Sequence, residues 1–354
     1  MILEGEYPEI LRVETGLPSL DYALGSISRD GTYNYVWPMT IYEVFGSKGV
    51  GKTTFSTSIA GIVARKLEKA SVYAPVEHVD RDYMGRILQS VGYDGLVSIL
   101  GGKDMVKKFL PELKLGKDDH ITDEILGDCF VEALRRDEYG VGIFDSLTAV
   151  SPIEEMESSS ADKNMGRRAR LSGTWVRQIL QSSRFRENGM TPCTIFLTHK
   201  ATSMSMYPTN TGTSTTGGEG KKNLSKVRIG IKQIPDDAWI KKDCMVLEGI
   251  TEHNNFGKPK QKFNAVVVGG WGVHSGLSAV YDCKVAKLAS FGKGGVKLGG
   301  ETMGSLGSLI DHAINGNNAV FTPFFEAMRN PKAKVVEDDE EENEKGVYLD
   351  ELPD

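Results

Sequence analysis

Apolar runs alternate with longer stretches of helical periodicity from about residue 15 to residue 234. The runs that predict buried strands lie at residues 40–45, 70–76, 141–144 and 194–198. The stretches that predict helices lie at residues 54–69, 84–91, 122–136 and 164–185. Because helices that alternate with apolar strands typically cover a parallel sheet, the pattern predicts an α/β fold with a mostly parallel central sheet.

Later segments interrupt and extend this core. Residues 201–220 are polar, rich in glycine and threonine and without periodicity, and a loop of this length is usually functional or disordered. Residues 246–249 and 263–268 predict a strand pair joined by a basic turn. Residues 282–334 show mixed helical signals, and we expect them to form a small C-terminal unit.

The composition limits the class of protein. Of the 354 residues, 40% are hydrophobic and 25% are charged, as in ordinary globular proteins. No apolar run reaches the length of about 18 residues that predicts a membrane span, and the first residues lack the pattern of a signal peptide. The cysteines are widely spaced and form neither a metal motif nor a disulfide framework. We therefore expect a cytoplasmic protein without a membrane partner.

The charge is distributed unevenly along the chain. The formal net charge is −6, but ten acidic residues and a single lysine lie between residues 337 and 354, so the rest of the chain is mildly basic. A basic body with an acidic tail occurs in nucleic-acid-binding proteins, where the tail competes for the basic surface. A disordered tail that only improves solubility is the alternative.

The octapeptide Gly46-Ser47-Lys48-Gly49-Val50-Gly51-Lys52-Thr53 lies between a predicted strand and a predicted helix. It matches the P-loop pattern G-x-x-x-x-G-K-[ST], whose backbone N–H groups converge on phosphates. The helix N-terminus adds its positive end. Lys52 would reach the β- and γ-phosphates of ATP, and the hydroxyl of Thr53 would hold Mg²⁺. With Thr54, these residues form the predicted ATP-binding loop.

Three further polar residues end predicted strands, where ligands bind in open α/β sheets. Asp145 is the expected carboxylate partner of Mg²⁺, with an ordinary strand-end aspartate as the alternative. Glu77 either activates a water for attack on the γ-phosphate or is a solvated loop glutamate. His199 either senses the γ-phosphate or is a structural histidine.

Residues 13–275 resemble the RecA-like recombinases, including the phage UvsX type. The resemblance rests on the P-loop and three further segments: Val13-Glu14-Thr15-Gly16-Leu17-Pro18-Ser19-Leu20-Asp21, Val76-Glu77-His78-Val79-Asp80, and Asn164-Met165-Gly166-Arg167-Arg168-Ala169-Arg170. It implies a RecA-type P-loop ATPase core in which Glu77, Lys52 and His199 are catalytic. It also implies that Asp80 and Tyr83 contact the adenine of ATP.

The resemblance implies two DNA-binding loops, at about residues 152–168 and 200–222. The residues that it assigns to DNA are Met165, Gly166, Arg167, Arg168, Arg170, Lys200, Gly217, Gly218 and Lys222. Lys221, Lys226 and Arg228 add to this basic cluster, which would neutralise phosphates and make binding depend steeply on salt. For the arginine run alone, a solvated helix face is the alternative.

Some positions depart from the family pattern. The lysine pair that acts across the family's subunit interface would fall near Thr251 and His253, and the interface aromatic residue would fall at Asn223. Lys258, Lys260 or Lys262 is a candidate replacement for the pair. We expect a short arm with a candidate role in oligomerisation at residues 1–14, an ATPase core at 15–281, the C-terminal unit at 282–334 and a disordered acidic tail at 335–354.

The function implied by the resemblance is the assembly of a helical homo-oligomer on single-stranded DNA, with ATP and Mg²⁺ as cofactors. Homologous pairing and strand exchange with double-stranded DNA would follow, with hydrolysis of ATP to ADP and phosphate. The implied location is the nucleoid of a bacterial or phage-infected cytoplasm, and single-strand-binding or loader proteins are candidate partners. The alternatives are a RecA-type DNA motor, such as a ring helicase or branch-migration ATPase, and a recombination mediator that does not hydrolyse ATP.

Overall fold

The computed structural model describes residues 11–27, 33–34, 37–76, 79–116, 119–151, 165–187, 189–202, 213–215 and 225–329. Its strands are β1 (Arg12–Val13), β2 (Ser26–Ile27), β3 (Tyr33–Asn34), β4 (Trp37–Pro38), β5 (Ile41–Gly46), β6 (Ala70–Pro75), β7 (Val97–Ile99), β8 (Tyr139–Asp145), β9 (Cys193–Thr202), β10 (Thr213–Thr215), β11 (Val227–Ile234), β12 (Cys244–Asn254), β13 (Lys262–Val268), β14 (Gly272–Val273), β15 (Ala289–Gly292), β16 (Gly295–Leu298) and β17 (Glu301–Gly304). Its helices are α1 (Pro18–Leu24), α2 (Lys52–Leu67), α3 (Arg81–Ser90), α4 (Lys103–Phe109), α5 (Asp123–Arg135), α6 (Met165–Gln181), α7 (Asp237–Ile240), α8 (Ser275–Val285), α9 (Leu306–Ile314) and α10 (Thr322–Arg329). Short 3₁₀ turns lie at Ser182–Phe185 and Asn318–Phe321.

The central sheet has the strand order β14-β13-β12-β11-β5-β9-β8-β6-β7, and β10 pairs with β9. The run from β11 to β7 is parallel throughout. The pairs that β12 forms with β11 and β13, and the pair of β13 with β14, are antiparallel. The prediction of an α/β fold with a mostly parallel central sheet is therefore confirmed.

Two apolar layers cover opposite faces of the sheet. Helices α2 and α3 pack on one face, where Phe55 and Val63 of α2 are fully buried. Helices α5 and α6 pack on the other face, around Phe130 and Trp175. Because side chains alternate along a strand, neighbouring residues of β5 face different layers. Helix α2, which follows the P-loop, therefore packs on one face of the sheet.

A third apolar cluster joins the antiparallel strands to the C-terminal residues. It contains the fully buried Trp239, residues of α8, and the aromatic pair Phe321 and Phe324. Strands β15, β16 and β17 form a three-stranded antiparallel sheet that the sequence analysis did not predict. Residue 282, where we expected the C-terminal unit to begin, lies inside helix α8. The division of the chain into these units stays a prediction.

Several expected features lie wholly or largely outside the described residues. They are most of the N-terminal arm, most of the two predicted DNA-binding loops, and the acidic tail. Within the part of the chain that the structure does describe, no helix has the length and apolar character needed to cross a membrane.

Candidate nucleotide site

The P-loop connects the fully buried strand β5 to the largely buried helix α2. Strand β5 is paired on both sides, with β9 and with β11, so the loop begins in the middle of the sheet. Gly49 and Gly51 have φ angles of 76° and 93°, in the left-handed region that favours glycine. A Cβ at Gly51 would also lie 2.8 Å from Cε of Met245. A loop of this shape at a helix N-terminus is suited to an anion such as phosphate.

Lys52 is the first residue of α2, and its side chain folds back over the P-loop. Its Nζ donates hydrogen bonds to the carbonyl oxygens of Gly46, at 3.2 Å, and Ser47, at 2.8 Å. The same Nζ lies 3.4 Å from Nδ1 of His199, which the sheet register places beside Gly46. The structure therefore brings two predicted catalytic residues, Lys52 and His199, together where β5 ends beside β9.

Asp145 and Thr53 provide oxygen atoms that suit a magnesium ion. Oγ1 of Thr53 donates a hydrogen bond to Oδ2 of Asp145 at 2.7 Å. Proteins that handle phosphates usually bind Mg²⁺ through one or two carboxylates together with substrate oxygens and water. The Thr53–Asp145 pair fits that requirement, because a carboxylate and a hydroxyl meet at the start of the P-loop helix.

Tyr73 is a residue of this site that the sequence analysis missed. It is buried in β6, and its hydroxyl donates a hydrogen bond to Oδ2 of Asp145 at 2.7 Å. The same carboxylate oxygen thus accepts from two side chains, on β6 and on α2. An aromatic residue in an apolar run is normally a core residue, so the sequence held no separate signal for this contact.

The N-terminus of α3 lies beside the first turn of α2. The hydroxyls of Tyr83 and Thr54 share a hydrogen bond of 2.8 Å. Asp80 caps α3 by accepting a hydrogen bond from the backbone N–H of Tyr83 at 3.0 Å. The guanidinium carbon of Arg86 lies 5.9 Å from the centroid of the Tyr83 ring. Asp80 and Tyr83 are therefore close to the P-loop helix, and their contact with adenine stays a prediction.

Glu43 is a second residue that the sequence analysis missed. It is a buried carboxylate in β5, and it accepts hydrogen bonds from Oγ1 of Thr198 at 2.9 Å and from Nε of Arg228 at 2.7 Å. Arg228 was expected in the basic cluster of the DNA-binding loops; in the structure it pairs with Glu43, and its contact with DNA stays a prediction. The pair follows from sheet register, which sets Arg228 directly beside Glu43. A glutamate inside an apolar run was the available signal, since charged residues are seldom fully buried unless paired.

The other predicted site residues are described only in part. Glu77, Gly217, Gly218 and Lys222 lie outside the described residues. The backbone of Met165, Gly166, Arg167 and Arg168 begins helix α6, on which Arg170 is exposed, and Lys200 lies in β9. Strand β8 ends at Asp145, shortly before the first predicted DNA-binding loop, and the second begins directly after His199. The DNA-binding roles of these residues stay predictions.

Comparison with known proteins gives similarity to proteins named RecA. The chain is 27% identical to Protein RecA of Chlamydia felis over 226 residues. This aligned region covers 64% of this chain and 55% of that protein. It is 29% identical over 227 residues to Protein RecA of Chlamydia trachomatis serovar D, with the same coverage, and 28% identical over 227 residues to that of Chlamydia muridarum, of which 54% is covered. No model of a protein family matches the chain.

The fold and the site together define the class of the protein as a P-loop α/β core of the RecA type. The sequence similarity supports a RecA-like family at distant identity. The chain spans about half the length of the curated relatives that it matches.

Proposed function

We propose that this protein is an ATP-dependent recombinase of the RecA type, a group that includes the phage UvsX type. It would assemble as a helical homo-oligomer on single-stranded DNA and catalyse homologous pairing and strand exchange with double-stranded DNA. It would act at the nucleoid, in the cytoplasm of a bacterial or phage-infected cell, with single-strand-binding or loader proteins as candidate partners.

One observation carries this proposal. Lys52 of the P-loop helix contacts His199, and Thr53 contacts Asp145, so the nucleotide site contacts two neighbouring strands, β9 within its last four residues and β8 at its last residue. The two segments predicted to bind DNA, at about residues 152–168 and 200–222, follow Asp145 and His199 in the sequence. A change in nucleotide at the P-loop would therefore act on both DNA-binding segments at their points of attachment.

The residues of the site have distinct roles in this proposal. Lys52 would neutralise charge on the phosphates, while Thr53 and Asp145 would hold Mg²⁺. Glu77 would accept a proton from the attacking water, and Asp80 and Tyr83 would position the base. His199 would respond to the γ-phosphate. When bound, ATP with Mg²⁺ supplies the phosphoanhydride bond whose hydrolysis to ADP and phosphate releases the DNA.

Imaging and strand exchange test the proposal together. The protein is incubated with single-stranded DNA and a slowly hydrolysed ATP analogue, imaged by electron microscopy, and assayed for exchange with homologous duplex DNA in ATP. Helical filaments with strand exchange support a recombinase. Closed rings without exchange would favour a DNA motor, and the absence of both assemblies would reject the proposal.

A recombination mediator that does not hydrolyse ATP is the second candidate function. The observation that favours it concerns the two positions expected for the family's lysine pair. Thr251, at one position expected for the family's lysine pair, is fully buried in β12, where its hydroxyl donates to the carbonyl oxygen of Gln261. His253, at the other position, is exposed but is not a lysine. A measurement of DNA-stimulated ATP hydrolysis by the wild type and by Glu77→Gln decides between the two, because a mediator shows no turnover in either.

A further inference from the structure

Glu43 belongs to a chain of polar side chains that crosses the sheet and is buried at Glu43 and Thr198. Only 1% of its side chain is exposed, and it lies three residues before Gly46, the first residue of the P-loop. Burial of a carboxylate is costly unless it is paired and hydrogen-bonded. Both of its oxygens have such partners: Oε1 accepts from Thr198 at 2.9 Å, and Oε2 accepts from Nε of Arg228 at 2.7 Å.

Arg228 continues this chain across the next strand. Its guanidinium lies 5.2 Å from the centroid of the Phe45 ring and 3.7 Å from the carboxylate of Glu252 on β12. We call Thr198, Glu43, Arg228 and Glu252 the Glu43 network. It connects four adjacent strands, β9, β5, β11 and β12.

The network meets the nucleotide site at one end. Thr198 directly precedes His199, whose Nδ1 lies 3.4 Å from Nζ of Lys52. Backbone pairing of β5 with β9 sets Gly46 beside His199. The residue held by Glu43 on β9 is therefore adjacent to the residue that contacts the P-loop lysine.

The network also contacts both strands, β9 and β11, that flank residues 203–226. Strands β9 and β11 lie on either side of β5, and Glu43 bonds to a side chain on each of them. The chain between these strands includes residues 203–224, which contain most of the second predicted DNA-binding loop. Arg228 is the second residue of β11, close to the point where this segment rejoins the sheet.

We propose that Glu43 is a positioning residue that couples the nucleotide at the P-loop to DNA binding by residues 200–222. This inference rests on the proposed function. A displacement of Thr198 relative to Arg228 would break a hydrogen bond of the buried Glu43 carboxylate, which costs more than moving the partners together. Movement at His199 is therefore passed to β11 through Glu43 instead of being absorbed between the strands.

The test uses variants that remove single links of the network. Thr198→Val is nearly isosteric and removes only the hydroxyl that donates to Glu43. Arg228→Lys keeps the positive charge but changes the donor that Glu43 binds. Lys284→Met is the matched control, because it breaks the 2.7 Å ion pair of Lys284 with Asp236 away from the nucleotide site. Thermal unfolding of each variant identifies any loss of folded protein.

Fluorescence anisotropy measures the affinity of the protein for a labelled oligothymidylate, once with a slowly hydrolysed ATP analogue and once with ADP. The measured quantity is the ratio of the affinity with the ATP analogue to the affinity with ADP. Coupling free energies between sites in proteins commonly correspond to factors of about 5–150. We expect Thr198→Val and Arg228→Lys each to reduce the wild-type ratio at least about fivefold. The double variant should lower it no further than the stronger single variant, since both break one chain, and the control should keep the wild-type ratio.

The outcomes separate this inference from the proposed function. A wild-type protein that binds DNA equally in both nucleotides rejects the proposed function, and the coupling with it. A wild type that responds to nucleotide, with folded network variants that retain its full ratio, overturns only the inference. Additive effects of the two substitutions would also overturn it, because additivity means that Thr198 and Arg228 act separately.

Discussion

Tyr73 donates its hydroxyl to Oδ2 of Asp145 at 2.7 Å, on the same oxygen that accepts from Thr53. The tyrosine comes from β6 and the aspartate from the end of β8, two adjacent parallel strands. A buried tyrosine thus fixes the orientation of the carboxylate proposed to hold Mg²⁺. Removal of a group that orients a metal ligand typically alters the affinity of the site for the metal.

We predict that Tyr73→Phe raises the Mg²⁺ concentration needed for nucleotide binding about tenfold, because hydrogen bonds to charged groups contribute about 1.5–3 kcal/mol. The measurement is a Mg²⁺ titration of the binding of a fluorescent ATP analogue. Tyr93→Phe is the matched control, since the hydroxyl of this buried tyrosine bonds to the carbonyl oxygens of Lys69 and Leu96 and not to Asp145. An unchanged Mg²⁺ midpoint in Tyr73→Phe would show that Thr53 alone is sufficient to orient the carboxylate.

Lys52→Ala should abolish nucleotide-dependent DNA binding. The substitution removes the ammonium group that lies between the P-loop carbonyl oxygens and His199, so the loop loses both its positive charge and its contact with β9. The measurement is the affinity for single-stranded DNA with and without an ATP analogue. Lys66→Ala, an exposed lysine in the last turn of the same helix, is the control. A Lys52→Ala protein with wild-type affinities in both conditions would remove the P-loop from the mechanism.

Local sequence patterns were sufficient to predict the parts of the site that lie at strand ends. The P-loop, Asp145 and His199 each interrupt an apolar run with a residue of recognisable chemistry, and the parallel sheet then brings them to one edge. Tyr73 and Glu43 lie inside strands, where their roles depend on which strand is adjacent. Strand order is a long-range property, and a single sequence gives no direct measure of it.

The C-terminal sheet was missed for a different physical reason. Strands β15 to β17 contain four residues each and are separated by glycine-rich turns, such as the one at Gly299 and Gly300. Segments this short carry too few alternating positions to be distinguished from loops. Their identity as strands follows from mutual pairing and from packing on α8, which only the fold provides.

Arg186 should contribute strongly to stability although it is remote from the site. Its buried guanidinium donates from one nitrogen to the carbonyl oxygens of Leu134, Arg136 and Tyr139, at 2.8–3.1 Å, and so satisfies the backbone after α5. Burial lowers the pKa of Arg186, and the charge of Asp137 opposes that shift. We predict that Arg186→Met lowers the free energy of unfolding by about 2–4 kcal/mol, because several buried acceptors lose their donor.

Urea denaturation followed by circular dichroism measures the effect of Arg186→Met. Arg177→Met is the control, since Arg177 is exposed on α6 and its guanidinium donates a hydrogen bond to Thr174 on the same helix. Its expected effect is within about 0.5 kcal/mol of zero. Equal stability of the two variants would mean that water replaces the guanidinium at the end of α5.

Asp21 should make stability depend on pH. It accepts hydrogen bonds from the backbone N–H groups of Thr15 and Gly16 and from the hydroxyl of Thr15, and so holds the segment before α1. Burial nevertheless raises the pKa of Asp21 from 3.8 to about 7. Between these values the unfolded chain loses the proton while the folded protein keeps it, so the unfolded state binds fewer protons. Stability therefore falls as pH rises from about 4 to about 7.

The contribution of this one residue is isolated by comparison with Asp21→Asn, which cannot ionise. We predict that the free energy of unfolding of the wild type decreases relative to that of Asp21→Asn by about 2–4 kcal/mol between pH 4 and pH 7, since each unit of pKa shift corresponds to about 1.4 kcal/mol. Asp311→Asn, at an exposed position on α9, is the control for the substitution of an aspartate by asparagine. A difference in the free energy of unfolding between the wild type and Asp21→Asn that stays constant over this range would contradict the prediction. Asp21 would then ionise in the folded protein as it does in the unfolded chain, because its three hydrogen bonds offset the cost of burial completely.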